Sequence, residues 1–194
     1  MSTSDVITSA ALRLFYRQGF HATGVEQLSQ EAGVTKKTLY RHFSSKEDLV
    51  EAALELRHNE FLAKVRAVVD AVPAAKRPLA YLDFIASWVQ EPGFYGCAFI
   101  NASAEYASLS LPPHRLARQH KQALQAYLED MYAQAGCSNP RLAAMQLLLI
   151  GEGLIVSCQV NGACPDLIKA ARDMVVLLSP QMAAEPAVKV HPSN

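Results

Sequence analysis

Apolar residues recur at steps of three and four along most of this chain, and glycines, prolines and hydroxyl-bearing residues cut the runs into lengths that suit compact helices. Between residues 4 and 18, Ile7, Ala10, Ala11, Leu14 and Phe15 form the stripe of an amphipathic helix, and Gly19 supplies its stop. Thr23 with Glu26 three residues later has the form of a capping box. It predicts a short second helix from about residue 24 that turns Val25, Leu28 and Ala32 inward and ends at Gly33. Thr35 is placed to cap a third helix running through Leu39 to about His42. Ser44 with Glu47 repeats the capping pattern and opens a long fourth helix to about residue 71, closed by Pro73.

Beyond Pro73 there is no strand alternation; further helices are predicted at 77–90, 98–107, 112–135, 139–160 and 165–178. The predicted fold class is therefore all-α. A three-helix unit (1–48) is joined by a connecting helix (49–72) to a larger helical domain (73–179), and a flexible tail (180–194) follows Pro180.

The second and third helices meet the requirements of a helix-turn-helix. Ser29 is small enough for close helix approach, Gly33 can take the left-handed turn, and Leu28, Ala32, Val34 and Leu39 supply the apolar lock. The outward face of the third helix is then free for the major groove, where the four base pairs present different edges. The whole chain has a formal net charge of zero, but from residue 35 to 46 it carries Lys36, Lys37, Arg41 and Lys46, with His42 besides, and no acidic residue. A basic run alone is more often a solvated face. On a capped recognition helix it reads as a nucleic-acid contact, with Lys36, Lys37, Thr38, Tyr40, Arg41 and His42 facing outward. Tyr40 also has a packing reading, as a ring that helps to fix the third helix.

Several spaced segments carry a family resemblance: residues 10–20 (AALRLFYRQGF), 23–25 (TGV), 32–43 (AGVTKKTLYRHF) and 45–49 (SKEDL). Over about the first 55 residues the chain resembles the TetR family of repressors. The resemblance implies that Thr23, Thr35, Tyr40, His42 and Lys46 hold the DNA backbone while Lys36, Lys37, Thr38 and Arg41 lie on or beside the recognition helix. It also implies a C-terminal helical domain that binds a small-molecule effector and forms a homodimer, with a double-stranded operator as partner; no cofactor or metal is expected.

For the effector, Tyr81, Phe84, Trp88, Phe99 and Tyr106 are candidate lining and Asn101 and Glu105 candidate polar anchors for a small, mainly apolar molecule, although rings at helical spacing equally build a core. For the dimer, the apolar segment 142–160 is the candidate, with Leu147, Gly151, Leu154, Ile155 and Cys158 expected at the interface, together with 167–178 in an intersubunit four-helix bundle. A membrane-spanning reading of this segment fails on the central Glu152.

Four scattered cysteines, Cys97, Cys137, Cys158 and Cys164, show neither zinc-ligand nor disulfide-framework spacing and are expected to be reduced. The N-terminus has no basic start followed by an apolar run, so a cytoplasmic protein is expected. Cys97 has an alternative reading as a redox or electrophile sensor, without a basic neighbour in sequence to activate it. An enzyme finds little support: His114 and His120 are six apart and no HExxH or nucleophile elbow is present. A helical protein-binding adaptor accounts for the bundle but not for the basic third helix.

Overall fold

A computed structural model describes residues 2–178, which fold into nine α-helices with no strand among them. The first three, α1 (Thr3–Gln18), α2 (Val25–Glu31) and α3 (Lys36–His42), surround a small core of Ile7, Ala11, Phe15, Phe20, Leu28 and Leu39. α4 (Lys46–Val69) spans roughly 36 Å at 1.5 Å per residue. Its first half packs Leu49, Val50 and Ala53 towards α1, and its second half carries Phe61, Val65 and Val69 into the body formed by the later helices.

That body consists of α5 (Arg77–Trp88), α6 (Ala98–Glu105), α7 (Pro112–Gln134), α8 (Pro140–Asn161) and α9 (Pro165–Leu178). α7 and α8 form a long hairpin through a short turn, and α9 returns over α8 and α5. Proline in the first turn starts α5, α7 and α8, where its missing N–H has no intrahelical partner to lose. An ion pair between Arg172 and Asp83 ties α9 to α5.

Two caps differ from the sequence reading. α4 begins one residue later than expected: Ser45, not Ser44, accepts from the Asp48 N–H at 3.0 Å while Asp48, not Glu47, reaches back to the Ser45 N–H at 3.1 Å. Both serines precede an acidic residue by three, so the pattern alone offers two registers; Leu49 and Val50, both fully buried, settle which one faces the core. At α2 the N-cap is Gly24, with the Gln27 side chain accepting from its N–H, because the Thr23 hydroxyl is turned inward.

The larger correction concerns α8. Leu147, Gly151, Leu154, Ile155 and Cys158, expected between subunits, face the protein's own core. Gly151 lies against Tyr81, whose hydroxyl is 3.2 Å from the position a Cβ would take. The solvent face of α8 is instead Leu142, Met145, Leu149, Val156 and Val160, and α9 adds Met174 and Leu177. α8 is long and apolar enough to cross a membrane by length and composition, yet it packs against α7, α5 and α9, and Glu152 pairs with Lys121 of α7. The predicted tail, 180–194, lies outside the described residues.

Candidate nucleic-acid interface and its join to the body

The turn between α2 and α3 is a Schellman motif. Gly33 takes φ +64°, its N–H donates to the Gln30 carbonyl at 3.1 Å, and the Val34 N–H donates to the Ser29 carbonyl at 2.9 Å. No atom lies within 4 Å of where a Cβ on Gly33 would sit, so glycine is required there by backbone conformation and not by space. Ser29 is buried and returns its hydroxyl to the Val25 carbonyl. Ala32, Leu28 and Leu39 close the lock beneath it.

The Thr35 hydroxyl caps α3, accepting from the Thr38 N–H at 3.1 Å. Lys37, Arg41 and His42 are exposed on α3, and the Tyr40 ring is half exposed. Neither Lys37 nor Arg41 forms an ion pair with another described residue, which leaves a two-turn helix with uncompensated positive charge on one face. Lys36 differs, because its ammonium is paired with Glu26 of α2 and must leave it to reach a phosphate. Lys46, in the first turn of α4, donates to the His21 carbonyl at 3.4 Å.

Thr23 does not fit the role implied by the family resemblance. It is 0% exposed, its hydroxyl donates to the Gly19 carbonyl at 2.6 Å and accepts from the Gln18 amide, and no face of it remains for DNA. Its work is to close the α1–α2 turn.

Glu105 is also reassigned. Expected to orient an effector, its carboxylate instead accepts from the N–H groups of Phe20 and His21, at 2.9 and 2.6 Å, while the His21 ring bonds the Glu105 carbonyl at 3.0 Å. The C-terminal end of α6 is thus fastened to the α1–α2 turn, with Tyr106 packed against the His21 and Phe20 rings. A second attachment lies at the other end of α6. The Tyr16 hydroxyl donates to the Gly96 carbonyl at 2.9 Å and accepts from the Tyr95 N–H, and the Arg57 guanidinium lies between the Tyr16 and Trp88 rings.

The aromatic residues expected to line one effector pocket are distributed otherwise. Tyr81, Trp88, Phe99 and Tyr106 are buried in the continuous core, and Phe84 with Trp88 borders only a hollow of about 90 Å³. Asn101 lies in an open cleft of about 480 Å³ between α1 and the body, donating to the Tyr95 carbonyl and accepting from Gln159. Phe99 does line a cavity, of about 240 Å³, but beside Leu54, Glu55, His58, Leu116 and His120 on α4 and α7.

Here His58 and His120 bring their Nδ1 atoms to 3.1 Å, so one ring donates and the other accepts. His120 stacks on Phe99 at 3.7 Å. Burial first, then the charges of Lys121, His58 and Arg57, push the His120 ring down to about 2, so it is neutral in the folded protein. Sequence spacing had set His120 against His114, on its own helix; the relevant partner is 62 residues away on α4. The described residues contain no group of three or more metal-ligating side chains.

Residues 7–53 match the family described as "Bacterial regulatory proteins, tetR family". Over nearly its whole length the chain is 29% identical to the HTH-type transcriptional regulator LmrA of Bacillus subtilis (strain 168), covering 85% of this chain and 96% of the relative. It is 26% identical to the HTH-type transcriptional regulator YjdC of Escherichia coli (strain K12), covering 89% and 91%. Among solved structures, a TetR-family transcriptional regulator from Streptomyces coelicolor superposes with a TM-score of 0.86 at 30% identity, over 94% of this chain and 96% of that one.

Proposed function

The chain belongs to the TetR family of DNA-binding transcriptional regulators, and from that premise we propose that it is a homodimeric repressor released from a palindromic operator by a small, mainly apolar effector. The observation that carries the reading is α3: a capped helix with Lys37 and Arg41 unpaired among the described residues, held on a rigid turn and fastened to the body through α6. Lys37, Thr38 and Arg41 are placed for the major groove. Lys36, Thr35, Tyr40, His42 and Lys46 serve the flanking phosphates.

The second copy covers the apolar stripe on α8. Leu142, Met145, Leu149, Val156 and Val160 follow one another at helical spacing, with Gly153 exposed among them, and Leu149 and Val160 are 69% and 76% exposed. A continuous apolar strip of this kind on a soluble helix is a helix-packing surface. Two-fold pairing of α8 and α9 with their symmetry mates buries it and sets the two α3 helices for successive major grooves.

The effector reading rests on the 240 Å³ cavity, which adjoins α4, α7 and Phe99 in the first turn of α6. An occupant there meets an apolar wall of Leu54, Phe99 and Leu116 and a polar side at Glu55 and the His58–His120 pair. α6 has eight residues, roughly 12 Å, and its far end grips the α1–α2 turn. Displacing Phe99 therefore tilts the strut that positions α2 and α3. The operator favours one tilt and the effector the other, so each weakens binding of the other.

The test is a titration of purified protein against fragments from the DNA flanking its own gene, over a range of salt, with unrelated DNA as control. Sequence-selective binding at two subunits or a multiple per site, falling steeply with salt, supports the reading. Binding no better than the control by every flanking fragment and by sequences from an unbiased selection would overturn it.

A further inference from the structure

Four chemically active side chains converge where α6 begins. Cys97 is the N-cap residue of α6 and is buried; the Lys121 ammonium of α7 donates to its sulfur at 3.4 Å and forms an ion pair with Glu152 of α8. Tyr81 of α5 completes the group. Its ring and hydroxyl lie against Gly151, the residue before Glu152, and the hydroxyl is fully buried with no hydrogen-bond partner among the described residues. Burial holds this hydroxyl protonated well above the ordinary tyrosine range, with Glu152 and Cys97 adding to the effect. An orphaned hydroxyl in a packed core is destabilising, so its retention points to a polar atom that it meets in another state.

We propose that this cluster is a covalent sensor site for α,β-unsaturated carbonyl compounds, with Cys97 as nucleophile, Lys121 and Tyr81 as donors to the carbonyl oxygen, and Glu152 holding the ammonium in place. The S–H bond breaks and the sulfur electron pair forms a bond to the β carbon. The C=C π pair moves into the enolate, whose oxygen accepts from Lys121 and Tyr81, and the proton lost from sulfur finishes on the α carbon. The sum is addition of S–H across C=C, with no oxidant or reductant. A neighbouring cation is what a reacting thiol requires, and the fold provides the one that sequence proximity lacked.

Access and output both follow from the surroundings. Lys121 and Glu152 are each about a quarter exposed, so the ion pair forms the outer wall of the site. On the other side Gln159, hydrogen-bonded to Asn101, lies across Gly96, the residue before Cys97, and lines the 480 Å³ cleft. Cys97 lines none of the cavities described above, so an adduct on it pushes on the first turn of α6. The same strut that carries Glu105 to the DNA-reading helices then moves. This output rests on the DNA-binding reading above, whereas the chemistry does not.

The experiment treats the full chain with methyl vinyl ketone, locates adducts by peptide mass mapping, and measures operator affinity before and after. The expected result is modification of Cys97 ahead of Cys137, Cys158 and Cys164, with operator affinity falling at least about tenfold in proportion to Cys97 adduct. Lys121→Met slows modification of Cys97 by at least about tenfold, and a Cys97→Ser variant, compared with its own untreated affinity, shows no response. Alkylation confined to the other cysteines, an unaltered Cys97 rate in Lys121→Met, or a Cys97 adduct with undiminished DNA binding each overturns the proposal. If the untreated protein binds no operator, the DNA-binding reading has failed, and the order and rates of alkylation still decide whether the site is reactive.

Discussion

Replacing Glu105 with glutamine isolates the fastening between α6 and the DNA-reading helices, because the side chain keeps its shape and loses its charge and one acceptor. In the wild type the two carboxylate oxygens each take one amide, from Phe20 at 2.9 Å and from His21 at 2.6 Å. In Glu105→Gln one amide retains its carbonyl acceptor and the other faces an NH₂ group. A hydrogen bond to a charged group contributes about 1.5–3 kcal/mol, and the half-exposed setting favours the lower end, so the loss is on the order of 1.5 kcal/mol. Local opening of the α1–α2 turn then becomes roughly tenfold more frequent.

Amide hydrogen exchange reads this directly: the N–H groups of Phe20 and His21 exchange about tenfold faster while those of α7 and α8 are unaffected. Glu105→Ala, which removes both acceptors, raises the exchange of both amides further. Unchanged exchange at Phe20 and His21, or an equal rise throughout the protein, would refute the idea that this carboxylate specifically joins the two parts. A glutamine variant with normal exchange but weakened operator binding would place Glu105 in the DNA contact itself, against the geometry.

Charge reversal at Lys37 and Arg41 is expected to abolish operator binding without altering subunit association, as checked by DNA titration and sedimentation of the same preparations. Leu149→Glu is expected to yield monomers with native helix content. Leu147→Ala, at a buried position one turn-face away, is expected to cost about 2–4 kcal/mol in denaturant unfolding and to leave a folded dimer. For His120 the folded ring is pushed down to about 2 from 6.5, so the unfolded chain takes up the proton first. The stabilisation is therefore present above pH 6.5 and is lost as the pH falls towards 2, by about 2 kcal/mol between pH 7 and pH 5, and His120→Phe should flatten that part of the stability profile.

The helix-turn-helix was legible because its determinants are local. Gly33, the Thr35 cap and the spacing of Leu28, Ala32 and Leu39 specify one arrangement within a dozen residues. Thr23 was misread for a related reason: hydroxyl residues near a helix start serve as cap, phosphate ligand or turn clamp, and only burial separates these. α8 shows the limit of periodicity. Apolar residues occupy both its faces, so Leu147 and Leu149 look alike in sequence although one is 1% and the other 69% exposed. What decides between them is which face packs against α7 and α5, which the spacing of α8 itself does not tell. His58 with His120, and Cys97 with Lys121, were likewise invisible as pairs because their members are 62 and 24 residues apart.

The hydrogen bonds that join the two parts of the molecule are made largely to main-chain groups. Glu105 holds the amides of residues 20 and 21, Lys46 the carbonyl of residue 21, and Tyr16 the carbonyl of residue 96 and the amide of residue 95. Contacts of this kind do not read side-chain identity, so the docking register is portable. A reading head from a relative with other side chains on its third helix can be grafted at the start of α4 and still seat correctly, provided the grafted chain keeps a tyrosine at position 16, an aromatic ring at position 20 and the apolar stripe of α1 that packs on α4. With that stripe kept, new operators on this scaffold require no matching change in the body, and a set of chimaeras differing only in the exposed residues of 2–45 should answer to the same chemical signal while addressing different genes.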